Sequence, residues 1–74
     1  MDEYKQVIGQ NLEAMRRQHG YSQEYLSDEA EISLSNYRDI EHGRGNPTIE
    51  TLGKIANTYG VYIGTFFDRP KDQE

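Results

Sequence analysis

The chain has 74 residues, no cysteine, a net charge of −5 and an isoelectric point near 4.9. A chain of this length makes one small domain that buries little more than about 60% of its unfolded surface, and the lack of thiols excludes a disulfide framework and a thiolate metal site. No apolar run approaches the roughly 20 residues that a membrane-spanning helix needs, and the opening MDEYKQVIGQ does not read as a secretory leader, so a cytoplasmic setting is expected.

A first helix is expected from about residue 2 to residue 19. Tyr4, Ile8, Leu12 and Met15 recur there at helical spacing and form a stripe for the interior. Gly20 is a left-handed stop, and Tyr21 can fold back on the last turn. A second helix is expected over Gln23–Ala30 and a third over residues 34–42. Ser22 and Ser33 are their caps, because a serine oxygen accepts a free N–H of the first turn. Leu26, Ala30, Ile32, Tyr37 and Ile40 turn both helices toward one interior. Gly43 ends the third helix, and HGRGNP, residues 42–47, is a loop. Thr48 caps a fourth helix, Ile49–Tyr59, with Ile49, Leu52, Ile55, Ala56 and Tyr59 inward. Gly53 inside it costs up to about 1 kcal/mol relative to alanine, and Gly60 closes it. A last short helix holds Ile63, Phe66 and Phe67. Residues 69–74, RPKDQE, read as a flexible tail, which leaves residues 1–68 as the folded unit. No segment alternates as a strand does, so the fold class is all-α: a compact five-helix bundle whose second and third helices form a helix-turn-helix.

The acidity is concentrated. Residues 1–20 balance, whereas residues 21–42 set Glu24, Asp28, Glu29, Glu31, Asp39 and Glu41 against Arg38 alone, a net of −5. For a partner with a phosphate backbone that sign is unfavourable, so the local patch counts for more than the total. Glu24, Asp28 and Glu31 fall at i, i+4 and i+7, sharing one face of the second helix that is expected to point away from such a partner. Outward at the start of the third helix are Ser33, Leu34, Ser35, Asn36, Arg38 and Asp39, mostly short polar side chains suited to base edges and phosphates. Arg38, Arg44, Lys54 and Arg17 are candidate phosphate contacts, with ordinary surface charge as the alternative for each.

Three ordered pieces, IGQNLEAMRRQHGYSQEYLS, YRDIEHGRGNPTIETLGKIANTYGV and IGTFF, make the chain resemble the Cro and phage-repressor-like helix-turn-helix family, also called the XRE family, over residues 8–67. The resemblance implies a lambda-repressor-like bundle of about five helices in which the second and third read DNA, and a dimeric regulator on a palindromic operator. It implies that Gln23 braces a phosphate and the recognition helix, that Ser33, Leu34, Ser35 and Asp39 face bases, and that Asn36 lies near the phosphate backbone. Arg44 and Asn46 match a loop that grips the second strand's phosphates. Arg16 and Glu41 match a structural ion pair joining the first and third helices; if buried, it would lose roughly 3–5 kcal/mol on removal of one partner. Four positions depart from the family pattern. Glu31 stands at a corner where glycine is common and φ is positive, so it bears strain or shifts the corner. Ser27 replaces a common alanine and is small enough to fit. Leu34 and Asp39 stand where glutamine or arginine is usual; leucine can touch a thymine methyl, and aspartate accepts from the cytosine amino group but repels phosphate.

Tyr4, Tyr21, Tyr25, Tyr37 and Tyr59 fall near inward or helix-end positions, which favours core packing over the base stacking of single-strand binders. Tyr62, Ile63, Phe66 and Phe67 have little chain after them. One is expected to pack inward and the others to form a homodimer seam that sets two recognition helices about 34–36 Å apart. His19 and His42 each precede a helix-ending glycine, where the helix dipole favours them. No third ligand stands at metal spacing and no Gly-rich strand-to-helix loop holds a nucleotide. No enzyme, cofactor, metal or small-molecule ligand is therefore expected, nor a second domain for sensing one. The expected function is a sequence-specific regulator binding double-stranded DNA, of the repressor, mobile-element or restriction-controller type. The competing reading is an acidic module of the same fold that binds a toxin, a polymerase subunit or another repressor. The negative helical pair and Asp39 favour it; Gln23 and the Arg44–Asn46 loop oppose it.

Overall fold

A computed structural model describes residues 3–69. Over these residues the chain is helical throughout, in the order α1 (Glu3–Gln18), α2 (Gln23–Ala30), α3 (Leu34–Glu41), α4 (Ile49–Tyr59) and a terminal 3-10 helix (Ile63–Phe67), with no strand among the described residues. The fifth expected helix is thus a single tight 3-10 segment, the usual form for so short a terminal piece. The expected start of α1 at residue 2 lies outside the described residues, and α1 and α3 each stop one residue before the expected end, within the fraying of any helix terminus. Of the expected tail, residues 70–74 lie outside the described residues; Arg69 is described and pairs with Glu3.

Capping explains the limits of the helices. The Ser22 hydroxyl accepts from the Tyr25 N–H at 3.0 Å, Ser33 from Asn36 at 3.0 Å and Thr48 from Thr51 at 3.1 Å. All four α-helices end on one pattern, in which an N–H just past a left-handed residue returns to a carbonyl of the last turn. The bonds are Tyr21 to Arg16 at 3.0 Å, Ile32 to Ser27 at 3.0 Å, Arg44 to Asp39 at 2.7 Å and Val61 to Ala56 at 3.0 Å. The left-handed residue is Gly20, Gly43 or Gly60 at three of these ends; at the α2–α3 corner it is Glu31, with φ 60° and ψ 45°. The corner has not shifted, and Glu31 bears the strain.

The core consists of Ile8, Leu12, Leu26, Ala30, Tyr37, Ile40, Leu52, Ile55, Ala56 and Phe66. Met15, Tyr21, Ile32 and Tyr59 are partly buried against it, whereas three residues expected near inward positions are largely exposed. Tyr4 is 52% exposed and Ile49 72%; both sit in the first turn of their helix, where the apolar stripe overhangs the neighbouring elements. Tyr25, in the first turn of α2, is half exposed and packs on Tyr21 with ring centroids 4.7 Å apart. Gly9 is buried where α1 crosses the end of α3. A Cβ there would stand 2.5 Å from the Glu41 carbonyl oxygen and 2.9 Å from that of Ile40. Glycine lets the two helices approach this closely, and Asn11 Nδ2 fastens the 3-10 helix to α1 by donating to the Phe66 carbonyl at 2.9 Å.

Candidate nucleic-acid interface

Glu41, the last residue of α3, sets the position of the candidate surface. Its side chain is almost fully buried, and an unpartnered carboxylate there would be strongly unfavourable. Four hydrogen bonds converge on it. Arg16 donates from Nε to Oε2 at 2.8 Å and from Nη2 to Oε1 at 3.0 Å, Gln23 Nε2 to Oε1 at 2.8 Å, and the Tyr37 hydroxyl to Oε2 at 2.6 Å. Arg16 also donates from Nη1 to the Tyr21 carbonyl at 2.8 Å. Burial alone would raise the Glu41 carboxyl and is the largest single influence. The bonds from Arg16, Tyr37 and Gln23, with the Arg16 charge, together outweigh it and hold the group below the ordinary carboxylate range. The bond to Glu41 pushes Arg16 up, while burial and then the same carboxylate push the Tyr37 phenol up. One carboxylate therefore joins α1, the start of α2 and α3.

On this frame α3 turns Ser33, Ser35 and Asn36 to solvent, with Leu34 and Asp39 partly covered. Gln23 lies beside them; its Oε1 accepts from Arg38 Nε at 3.2 Å. Arg38 also reaches Glu24, with Nη2 3.5 Å from Oε2. This corrects the expectation that Glu24 faces away with Asp28 and Glu31: helical spacing reports one face of one helix, and α3 lies against the edge of that face. Arg44 Nη2 stands 3.4 Å from Asp39 Oδ1. Asn46 Oδ1 accepts from Lys5 Nζ at 3.2 Å, so the first turn of α1 brings a cation to the 42–47 loop. No local signal marks Lys5, because 41 residues separate it from Asn46. Arg17 pairs with Glu13 at 2.8 Å along α1. Lys54 lines a depression between α2 and α4 with Glu29, Glu31, Asn57 and Thr58.

The four candidate seam residues divide. Phe66 is fully buried and belongs to the core, whereas Tyr62 is 89% exposed, Phe67 45% and Ile63 half-buried. Phe67 shares a shallow groove with Tyr4 and Val7, which the sequence does not connect with it. At the opposite end of α1 the rings of His19, Tyr21, Tyr25 and Tyr59 pack on one another, with the His19 and Tyr59 centroids 4.9 Å apart. Burial, with Glu41 and Tyr21 opposing Arg16, pushes the Tyr59 phenol up to about 12, and its hydroxyl is buried without a partner among the described residues. His19 Nδ1 lies 2.9 Å from the Met15 carbonyl, at the end of its own helix. Among the described residues no three His, Asp or Glu side chains gather as a metal site, and no helix is long and apolar enough to cross a membrane.

A helix-turn-helix family model matches residues 12–66. The HTH-type transcriptional regulator DdrOP3 of Deinococcus deserti is 35% identical over 54 residues, covering 73% of this chain and 42% of that protein. The immunity repressor protein of Bacillus phage phi105 is 34% identical over 57 residues, covering 77% and 40%. The transcriptional regulator SinR of Bacillus subtilis is 30% identical over 69 residues, covering 92% and 62%. The chain therefore spans about two-fifths of the length of the Deinococcus and phage relatives. In structure it is similar to the hypothetical transcription factor NHTF from Neisseria, with a TM-score of 0.86 at 22% identity, over 99% of this chain and 85% of that one; this likeness concerns the fold. With the cap pattern, the buried Arg16–Glu41 pair and these matches in agreement, the chain belongs to the Cro and phage-repressor-like (XRE) helix-turn-helix family of transcriptional regulators.

Proposed function

We propose that the chain reads double-stranded DNA as a homodimer on a palindromic operator and represses transcription in the cytoplasm. The observation that carries this reading is the open outer face of α3. Ser33, Ser35 and Asn36 are exposed on a helix that the Ser33 hydroxyl caps and whose far end is fixed by four hydrogen bonds to Glu41. A short rigid helix with small polar side chains at its start suits the major groove. Ser33, Leu34, Ser35 and Asp39 face base edges, Asn36 and Arg38 lie near the backbone, and Gln23, Arg44 and Asn46 hold phosphates. Tyr62, Ile63 and Phe67 form the dimer seam. The phage relative's name as an immunity repressor supports the direction of control.

Selection of bound fragments from a random duplex pool tests the whole reading. The expected product is an enriched palindrome with half-sites about 10 base pairs apart, and an unenriched pool would overturn it. Arg44→Ala should weaken all sequences alike, while Ser35→Ala should relax base preference. The acidic protein-binding module remains the second reading because both arginines of the face are already paired with carboxylates. It predicts no retention of duplex at low salt, where phosphate contacts are strongest.

A further inference from the structure

We infer that Glu24 is a positioning residue that limits the affinity of this face for duplex by withholding Arg38 from phosphates. The inference rests on the reading of the chain as a duplex binder. Arg38 is held from two sides, by Glu24 at 3.5 Å and by the Gln23 side-chain oxygen at 3.2 Å. The pair spans two helices, Glu24 on α2 and Arg38 on α3, so the fold sets it. Arg44 is held in the same manner by Asp39, across the end of α3. Both pairs stay largely open to solvent, where an ion pair binds by a factor of no more than about two to five. They are weak enough to open, and present whenever DNA approaches.

A phosphate arriving at this face meets an ion pair with no net charge. The salt-dependent gain in affinity comes from phosphates neutralised and counterions released, and Arg38 with Glu24 beside it neutralises none. If Glu24 swings aside, its charge still stands near the backbone and repels it. Unselected sequence offers nothing in return. On the operator, base contacts from Ser33, Ser35 and Asn36 hold the face close enough for the exchange to occur. The carboxylate therefore costs the unselected complex the phosphate contact that Arg38 withholds, and costs the operator complex the opening of the pair, so it weakens binding to both. Asp39 acts alike on Arg44, but it also faces the bases, so Glu24 gives the cleaner test.

The experiment titrates the whole chain and its Glu24→Gln variant against the selected operator and a scrambled duplex across a salt series. The Glu24 side chain is 65% exposed, so the variant should keep the wild-type melting curve. The expected result is scrambled-duplex binding tighter by about two- to fivefold, a salt slope on that duplex steeper by up to about one unit, and a gain in operator affinity at least as large. Unchanged affinity for the scrambled duplex overturns the inference. In an Arg38→Gln background the steepening of the salt slope should vanish, leaving only relief of direct repulsion; a slope that still steepens by the same amount overturns the role of Arg38. If neither protein binds any duplex at the lowest salt, the DNA reading fails and the inference with it. If both bind equally, only the role of Glu24 fails.

Discussion

Glu31 does at the α2–α3 corner what glycine does at the other three α-helix ends. A side chain in the left-handed region crowds its own carbonyl and costs about 1–2 kcal/mol, part of which glycine would return as unfolded-chain entropy. Glu31→Gly keeps both backbone bonds of the corner, from Glu31 to Asp28 and from Ile32 to Ser27. It should raise stability by about 0.5–1 kcal/mol, read as a higher urea midpoint at unchanged slope; a lower midpoint would show that the carboxylate is needed there. This departure is legible in the sequence, because a resemblance with glycine at that corner exposes an acid standing in its place. The partner of Glu24 is not legible, since i, i+4, i+7 spacing describes a helix alone and Arg38 arrives on its neighbour.

The ends of the helices are legible for a local reason. Ser22, Ser33, Thr48 and Gly60 satisfy backbone groups within a few residues of themselves, so sequence neighbours carry the information. The crossing of α1 over α3 has no such local sign. Gly9 reads as a mere weakness in a helix until the Glu41 and Ile40 carbonyls are found against it. Two substitutions separate the cases. Gly53 has nothing within 4 Å of where a Cβ would be, so Gly53→Ala should stabilise α4 by up to about 1 kcal/mol. Gly9→Ala gains the same propensity but drives a methyl into backbone oxygen, and should destabilise by about 1–3 kcal/mol. Thermal melts of the two variants check the contrast; a stabilised Gly9→Ala would refute the close crossing. Tyr4 and Ile49 mark the same limit, because a stripe gives the inward face of a helix but not where its neighbours stop.

For the molecule as a whole, the depressed Glu41 carboxyl makes stability depend on pH. A group held below its unfolded value stabilises fully above that value, about 4.3 for a glutamate, and the contribution is lost as pH falls through the lower folded value. The melting temperature should therefore be level near neutrality and drop below about pH 4. Glu41→Gln should melt lower at neutral pH and show a shallower acid drop; equal acid limbs in the two proteins would show that other carboxylates set the response. On the alkaline side Tyr59, pushed up to about 12, contributes stability below its ordinary value of 10.0 that is lost as pH rises toward the folded one. The all-helical class and the charged pair between α1 and α3 are readable from sequence. Tyr37 stands one turn before Glu41 on α3, within reach by i, i+4 spacing, but that Gln23 joins the same carboxylate follows only once the helices are packed.

That shared carboxylate has a mechanical consequence. The Glu41 end of α3 is pinned to α1 and to the entrance of α2, while the Ser33 end is held by one cap bond and a strained corner. Any adjustment of this rod to an uneven groove must then be a swing about Glu41 as a pivot. In such a swing its opening turn would travel further than the Glu41 end.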